Sequence, residues 1–473
     1  MRCNLFSLLI LITVAPEFLF ALTVTPYLNV VPLPVSFDPV IAAYWTGLKH
    51  RRRVNFGCSP DKLSCYLAYL DASEETIHVL TLDARTFKPR SRPVQFKGHE
   101  AGGLVAHNDG FALLTIVGGG GSPPRRIATV VRFRGQNKIW ETPLNGPGIH
   151  PQQGITFSPD LNGELVWSER AQLYAAYFVV TATTGPATGH YGDSIQYVGK
   201  NGARVDIPEN NWWGCSHNTG IAFEAADEPP FASICAEDHG AIWLNTKSRD
   251  MSADGLKISN ENTTNGSGGE AMGGMGGSFS NLARFQNSDS YIFAWQSRGC
   301  TKLARDPWME GHLGTGYTTC LPRWLNHNVA IAILPTKDTL LGPQAISTPG
   351  AVGDKQIRWL TYSSQVDAEN VRVATFNSKL ALVTWDNLTK PKCQPLPMSC
   401  NGTYSGTTYQ LVNVQGSKSG TSLIKQIPVG GDMVTLTEGK ICWPYVPTTW
   451  DYNTPKTINT TVMSISVACA ALN

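Results

Sequence analysis

The chain has 473 residues, only 16% of them charged, with 38 Lys and Arg against 36 Asp and Glu for a formal charge of +2. A balance this close to neutral, with no basic stripe carrying interleaved aromatics, excludes nucleic acid as the expected partner. Its 45 glycines and 30 prolines break the chain into short apolar runs with few helical periods, so the expected class is all-β.

At the amino end, Arg2 precedes an apolar run from Leu5 to Val14, Pro16 breaks that run, and a cut is placed after Ala21. Residues 1–21 therefore read as a secretory signal and 22–473 as one mature domain. The run is too short to span a bilayer, and no later stretch reaches about 18 apolar residues, so no membrane span is expected; an uncleaved anchor is the alternative. Cysteine usage agrees with secretion. Cys3 leaves with the signal, and nearest-neighbour pairing of the other ten gives Cys58–Cys65, Cys215–Cys235, Cys300–Cys320, Cys393–Cys400 and Cys442–Cys469, although sequence does not fix connectivity. Sequons at Asn262, Asn265, Asn387, Asn401 and Asn459 mark surface segments open to glycosylation.

Leu22–Val31 is expected to close the fold as an outer strand of the last module. The basic run Lys49-His50-Arg51-Arg52-Arg53 reads as a solvated loop in preference to a processing site. Beyond it, one kind of β-branched and aromatic run recurs seven times: Ile77–Leu82, Ile127–Phe133, Leu173–Val180, Ala241–Leu244, Val329–Leu334, Thr408–Val412 and Val462–Ala468. Another strand precedes most of them and ends in polar residues, as in Leu165–Arg170, Ser233–Asp238 and Ile292–Arg298. Units of about 46 to 87 residues with three or four strands each define a seven-bladed β-propeller. Six or eight blades are the alternatives.

Three histidines occupy one position in consecutive units. His99, His150 and His217 each precede, by a few residues, a glycine and an aliphatic residue that open a strand. Placed at the starts of innermost strands in blades two, three and four, they can converge on one cation. Imidazole nitrogens suit one divalent transition metal such as zinc, manganese or copper, with positions left open for water or substrate. Without a metal, the same cluster serves as base and charge-neutralising group. Second strands end in Glu169, Arg170, Glu237, Asp238, Gln296 and Arg298, expected on the histidine face. Arg170, Glu169 and Arg298 are the candidate catalytic residues, able to clamp a carboxylate or orient a metal-bound imidazole. The pair Trp212 and Trp213, just before His217, is the candidate substrate-stacking site. Neither a Gly-x-Ser-x-Gly elbow nor a His-Glu-x-x-His helix occurs, which argues against the common hydrolase and metalloprotease designs.

Over nearly its whole mature length the chain resembles secreted β-propellers, and its channel-mouth histidines resemble those of propeller lyases. That resemblance implies a metal-dependent enzyme, a lyase or hydrolase directed at an extracellular glycan or another acidic substrate. The rival expectation is a non-catalytic, lectin-like propeller that binds through Trp212 and Trp213.

Overall fold

The structure is a computed structural model that describes residues 21–27, 29–42, 49–118, 127–144, 155–157, 163–182, 191–207, 220–237, 241–246, 255–261, 280–307, 318–394, 399–437, 439–447 and 460–472. Every regular element among them is a β-strand. Seven antiparallel sheets form the blades of a propeller.

Their strands follow one another outward from the axis. Blade 1 comprises Asn55–Cys58, Ser64–Leu70, Thr76–Asp83 and Val94–Lys97, and blade 2 Ala101–His107, Gly110–Val117, Ile127–Arg134 and Asn137–Pro143. In blade 3 the innermost strand is split into Ile155–Phe157 and Gly163–Ser168, both pairing with Leu173–Ala182; Tyr191–Gly199 and Arg204–Val205 complete it. Blade 4 holds Gly220–Glu224, Ala232–Glu237, Ala241–Leu244 and Leu256–Asn260. Blade 5 holds Leu282–Arg284, Tyr291–Ser297, Asn328–Leu334 and Arg358–Trp359, with the hairpin Lys302–Arg305 and Thr318–Leu321 inserted after its second strand. Blade 6 is Val366–Thr375, Leu380–Gln394, Ser399–Asn413 and Lys418–Lys425.

Blade 7 combines both ends of the chain. Val434–Thr437, Lys440–Tyr445 and Val462–Leu472 are joined by Leu22–Pro26, which pairs with Leu472 through Ala468. The expected closure by the amino-terminal strand is thus present. Between blades 7 and 1, Val54 bridges Gly431 in parallel. A Cβ on Gly431 would lie 2.1 Å from the Val54 carbonyl oxygen, so only glycine allows this approach.

Alternation along each strand sends successive side chains to opposite neighbours. Leu67 and Tyr69 pack toward blade 7, whereas Tyr66, Ala68 and Leu70 pack toward blade 2. Seven such apolar clusters fill the seven blade interfaces. Each blade buries both faces only when the ring is closed.

Six of the seven recurring runs are third strands. Leu173–Val180 is the exception: it lies in the second strand of blade 3. Gly163–Ser168, expected to be a second strand, is the end of the innermost one. Four expected disulfides are formed, Cys58–Cys65, Cys300–Cys320, Cys393–Cys400 and Cys442–Cys469. Cys235 is also disulfide-bonded, and its expected partner Cys215 lies outside the described residues. The signal segment and Asn262, Asn265 and Asn459 lie outside them too. Asn387 is within the blade 6 hairpin, where its amide donates to Gly406 O and Thr408 Oγ1 and its oxygen accepts from Trp385 Nε1. Asn401 is half-buried opposite Lys392 in the same hairpin.

Candidate active site in the central channel

Innermost strands run parallel around the axis, so their starts share one face and their ends the other. His99 stands two residues before the innermost strand of blade 2. Its Nδ1 is 3.2 Å from the Glu74 carbonyl oxygen. A carbonyl only accepts, so Nδ1 carries the proton in this contact. His150 and His217 lie outside the described residues, as do Trp212, Trp213 and Asp238; the strands that follow the two histidines, Ile155–Phe157 and Gly220–Glu224, are the innermost ones of blades 3 and 4.

The split strand of blade 3 relocates two candidates. Glu169 and Arg170 occupy the turn between the first and second strands, which opens on the face opposite His99. Glu169 there accepts from Trp167 Nε1 at 2.9 Å and from the Gln172 side chain, and these bonds hold its carboxyl below the usual range. Arg170 is 75% exposed and 3.7 Å from Asp227. Arg298 does follow a second strand, in blade 5, but is 1% exposed and donates to the Leu325 carbonyl. Its own carbonyl accepts from the amides of Arg323 and Trp324. Arg298 therefore braces the segment leading into the third strand. Gln296 is buried beside it.

Two arginines of the basic run expected to be solvated, Arg51 and Arg52, are buried instead. Arg51 and Arg52 are each 8% exposed. Arg51 Nε binds Asp386 of blade 6 at 3.2 Å, and Arg52 Nη2 binds Glu74 of blade 1 at 2.6 Å. Arg53 reaches furthest. Its Nε donates to Asp432 Oδ1 at 2.8 Å, its Nη1 to Gly102 O and Gly163 O at 2.8 and 2.9 Å, and its Nη2 to Glu164 Oε1 at 2.7 Å. Nη2 also lies 2.8 Å from Asp432 Oδ1. One guanidinium thus joins blade 3, through the second piece of its split innermost strand, to blades 1, 2 and 7 at the level where their innermost strands begin, and its five N–H groups are all engaged. The close approach of blades 2 and 3 at this level depends on Gly103, whose Cβ would meet the Leu165 amide nitrogen at 2.3 Å. The glycine of the histidine motif is explained by this contact.

This cluster lines a channel cavity of about 390 Å³ to which all seven innermost strands contribute. Glu164, Asp432 and Ser280 line it at the strand starts; Trp167, Phe223, Glu224 and Arg284 line it further along. Burial works against the charge of Arg53, but Asp432 and Glu164 more than offset it and keep the guanidinium ionised. Burial also raises both carboxyls; Asp432 adds to the shift of Glu164, Arg53 opposes both shifts, and Arg372 further opposes that of Asp432. Across the channel, burial lowers Arg372 to about 9; its Nη1 donates to Asn281 Oδ1 and Val371 O.

Glu224 is placed differently. It ends the innermost strand of blade 4 and faces the channel, and its Oε1 accepts from the Ala225 amide at 2.8 Å. Burial raises its carboxyl to about 7, with Arg284 only a minor opposing influence. The sequence signal that could have drawn attention to Glu164 and Glu224 is faint: an acidic residue on an innermost strand otherwise built of glycine and apolar residues.

The fold and this channel define a β-propeller with an acid-rich centre. No protein-family profile matches the chain, and no curated protein sequence matches it. Among solved structures it is similar to a member of the DUF4221 family from Bacteroides vulgatus, with 8% identity over 96% of this chain and 98% of that one and a TM-score of 0.37. It is also similar to the Dos1 propeller, with 7% identity, 94% and 95% coverage and a TM-score of 0.32. A third similar structure is an α-L-arabinanase of Cellvibrio cellulosa complexed with arabinohexaose, with 9% identity, 68% and 94% coverage and a TM-score of 0.29. The assignment to the propeller class rests on the strand pairing described above.

Proposed function

We propose that this chain is a secreted propeller enzyme that hydrolyses glycosidic bonds in a neutral extracellular glycan, using the channel carboxylates as acid and base. The observation that carries this reading is Glu224, a carboxyl raised to about 7 inside the channel, with the carboxyls of Glu164 and Asp432 lining the same cavity. A carboxylic acid still protonated near neutral pH can donate to a leaving oxygen, while an ionised partner activates water. Glu224 takes the first role and the ionised member of the Asp432–Glu164 pair the second. Trp167 and Phe223 offer apolar surface for a sugar ring.

Hydrolysis is favoured over elimination by the state of the arginines. A lyase acting on a uronic acid needs a free cation to neutralise the substrate carboxylate. Arg53 has its donors engaged, and Arg284 binds Asp227 through both Nη atoms and Asp289 through Nη2. A neutral glycan therefore suits the channel better than the acidic substrate first expected. Incubation with a panel of neutral polysaccharides, read as release of reducing ends, tests the proposal. Glu224→Gln should lower the rate about 10²–10⁴-fold, the range for loss of a general acid, with the circular dichroism spectrum unchanged. Full activity in that variant would refute the role of Glu224.

The three-histidine centre is a separate proposal. It would hold one divalent transition metal on the strand-start face through His99, His150 and His217. The contact of His99 with Glu74 supports it, because a metal-ligating imidazole commonly donates its other N–H to a carbonyl. Elemental analysis of the purified protein should find one transition metal per chain, lost in His99→Ala. A metal-free protein, or metal retained in the variant, would remove the proposal.

A further inference from the structure

A different cluster lies between blades 5 and 6. His327 immediately precedes the third strand of blade 5, and Asp367 is near the start of the innermost strand of blade 6. Asp367 is wholly buried; its Oδ1 accepts from the His327 amide at 2.6 Å and from His327 Nδ1 at 2.8 Å. Its Oδ2 is buried as well, and the Glu369 side chain is a hydrogen-bonding neighbour of this carboxyl. Over this pair lies the tip of the long blade 6 hairpin, where Cys393 and Cys400 face each other across the two strands and are joined. Cys400 Sγ is 3.4 Å from the Leu325 carbonyl oxygen, next to the histidine segment. One ligand atom each from His327, Asp367 and Cys400 lies within 4.8 Å of the others, and all three residues are buried.

An imidazole, a carboxylate oxygen and a sulfur within this radius form a donor set for zinc, with a fourth position for water. In the oxidised chain the sulfur is unavailable, because a metal requires a thiolate and Cys400 is bonded to Cys393. We propose that the cluster is a latent zinc site of Cys400, His327 and Asp367, uncovered when the Cys393–Cys400 disulfide is reduced. The chemistry balances with a dithiol as reductant: its two sulfurs join in a new disulfide, its two electrons and two protons pass to Cys393 and Cys400, and zinc displaces the Cys400 proton. The metal then replaces the covalent tie at the hairpin tip.

The test needs no reductant. Cys393→Ser in the full chain leaves Cys400 as a thiol beside His327 and Asp367, whereas Cys400→Ser leaves only Cys393. After equilibration with zinc and gel filtration, the Cys393→Ser chain should carry one zinc per molecule more than the parent, and cobalt should give a sulfur-to-metal charge-transfer band. The Cys400→Ser chain and the untreated parent should carry at least tenfold less at this site. Asp367→Asn in the Cys393→Ser background should weaken zinc affinity at least tenfold, with the melting transition measured to establish that the chain is folded. Zinc uptake in Cys393→Ser no greater than in Cys400→Ser would overturn the proposal, as would undiminished affinity in the Asp367→Asn double variant. Should that double variant fail to fold, the cobalt spectrum of Cys393→Ser alone decides, since absence of the charge-transfer band excludes Cys400 as a ligand.

Discussion

Arg53 and Glu224 show how burial gives neighbouring charged residues different tasks. Arg53 has a donor for every acceptor around it, so its function is to hold four blades together where the channel narrows. Replacing it with alanine leaves Glu164 and Asp432 enclosed without a cation. Loss of one partner from a buried pair costs about 3–5 kcal/mol, and chemical denaturation of Arg53→Ala should show a destabilisation of that size. Glu224 has no such cation bound to it, and its raised carboxyl has a consequence for stability. A carboxyl whose folded pKa exceeds its unfolded value, about 4.3, favours the folded state most below that unfolded value. The contribution is lost as pH rises through about 7. Melting temperature should therefore fall more steeply between pH 5 and 8 in the parent than in Glu224→Gln; parallel curves would contradict the assignment.

At the scale of elements, closure depends on a few strands. Leu22–Pro26 covers the outer edge of blade 7, and Cys442–Cys469 joins the second and third strands of that blade. Removing a native disulfide costs roughly 2–5 kcal/mol, so a Cys442→Ala/Cys469→Ala chain should unfold at lower denaturant concentration, with the transition midpoint as readout. Deleting residues 22–26 should broaden the transition, because an exposed edge leaves blade 7 paired on one side only. These elements were readable from the sequence since closing strands and cysteine spacing leave local marks. Blade 3 was not. Its innermost strand is interrupted, so Gly163–Ser168 resembles a second strand by position, and the phase error carried Glu169 and Arg170 to the wrong face.

Across the whole molecule, the number of blades followed from periodicity, but the site did not. Periodicity reports what recurs in each blade, and Arg53, Glu164, Glu224 and Asp432 do not recur; each comes from a different blade and meets the others only near the axis. The run Arg51–Arg53 is informative in this respect. Three consecutive arginines read locally as solvated, yet the ring supplies Asp386, Glu74, Glu164 and Asp432 from residues up to 379 positions away. The His99 motif stands out in the sequence because it recurs, whereas the channel acids do not because they converge.

In the proposed hydrolysis, Glu224 is the proton donor within the channel. The most direct test of that role is the pH dependence of kcat/KM on a neutral oligosaccharide that the parent protein cleaves. The rate should fall as pH rises through about 7, where Glu224 loses its proton. A rate that stays level, or increases, through that range would contradict the account.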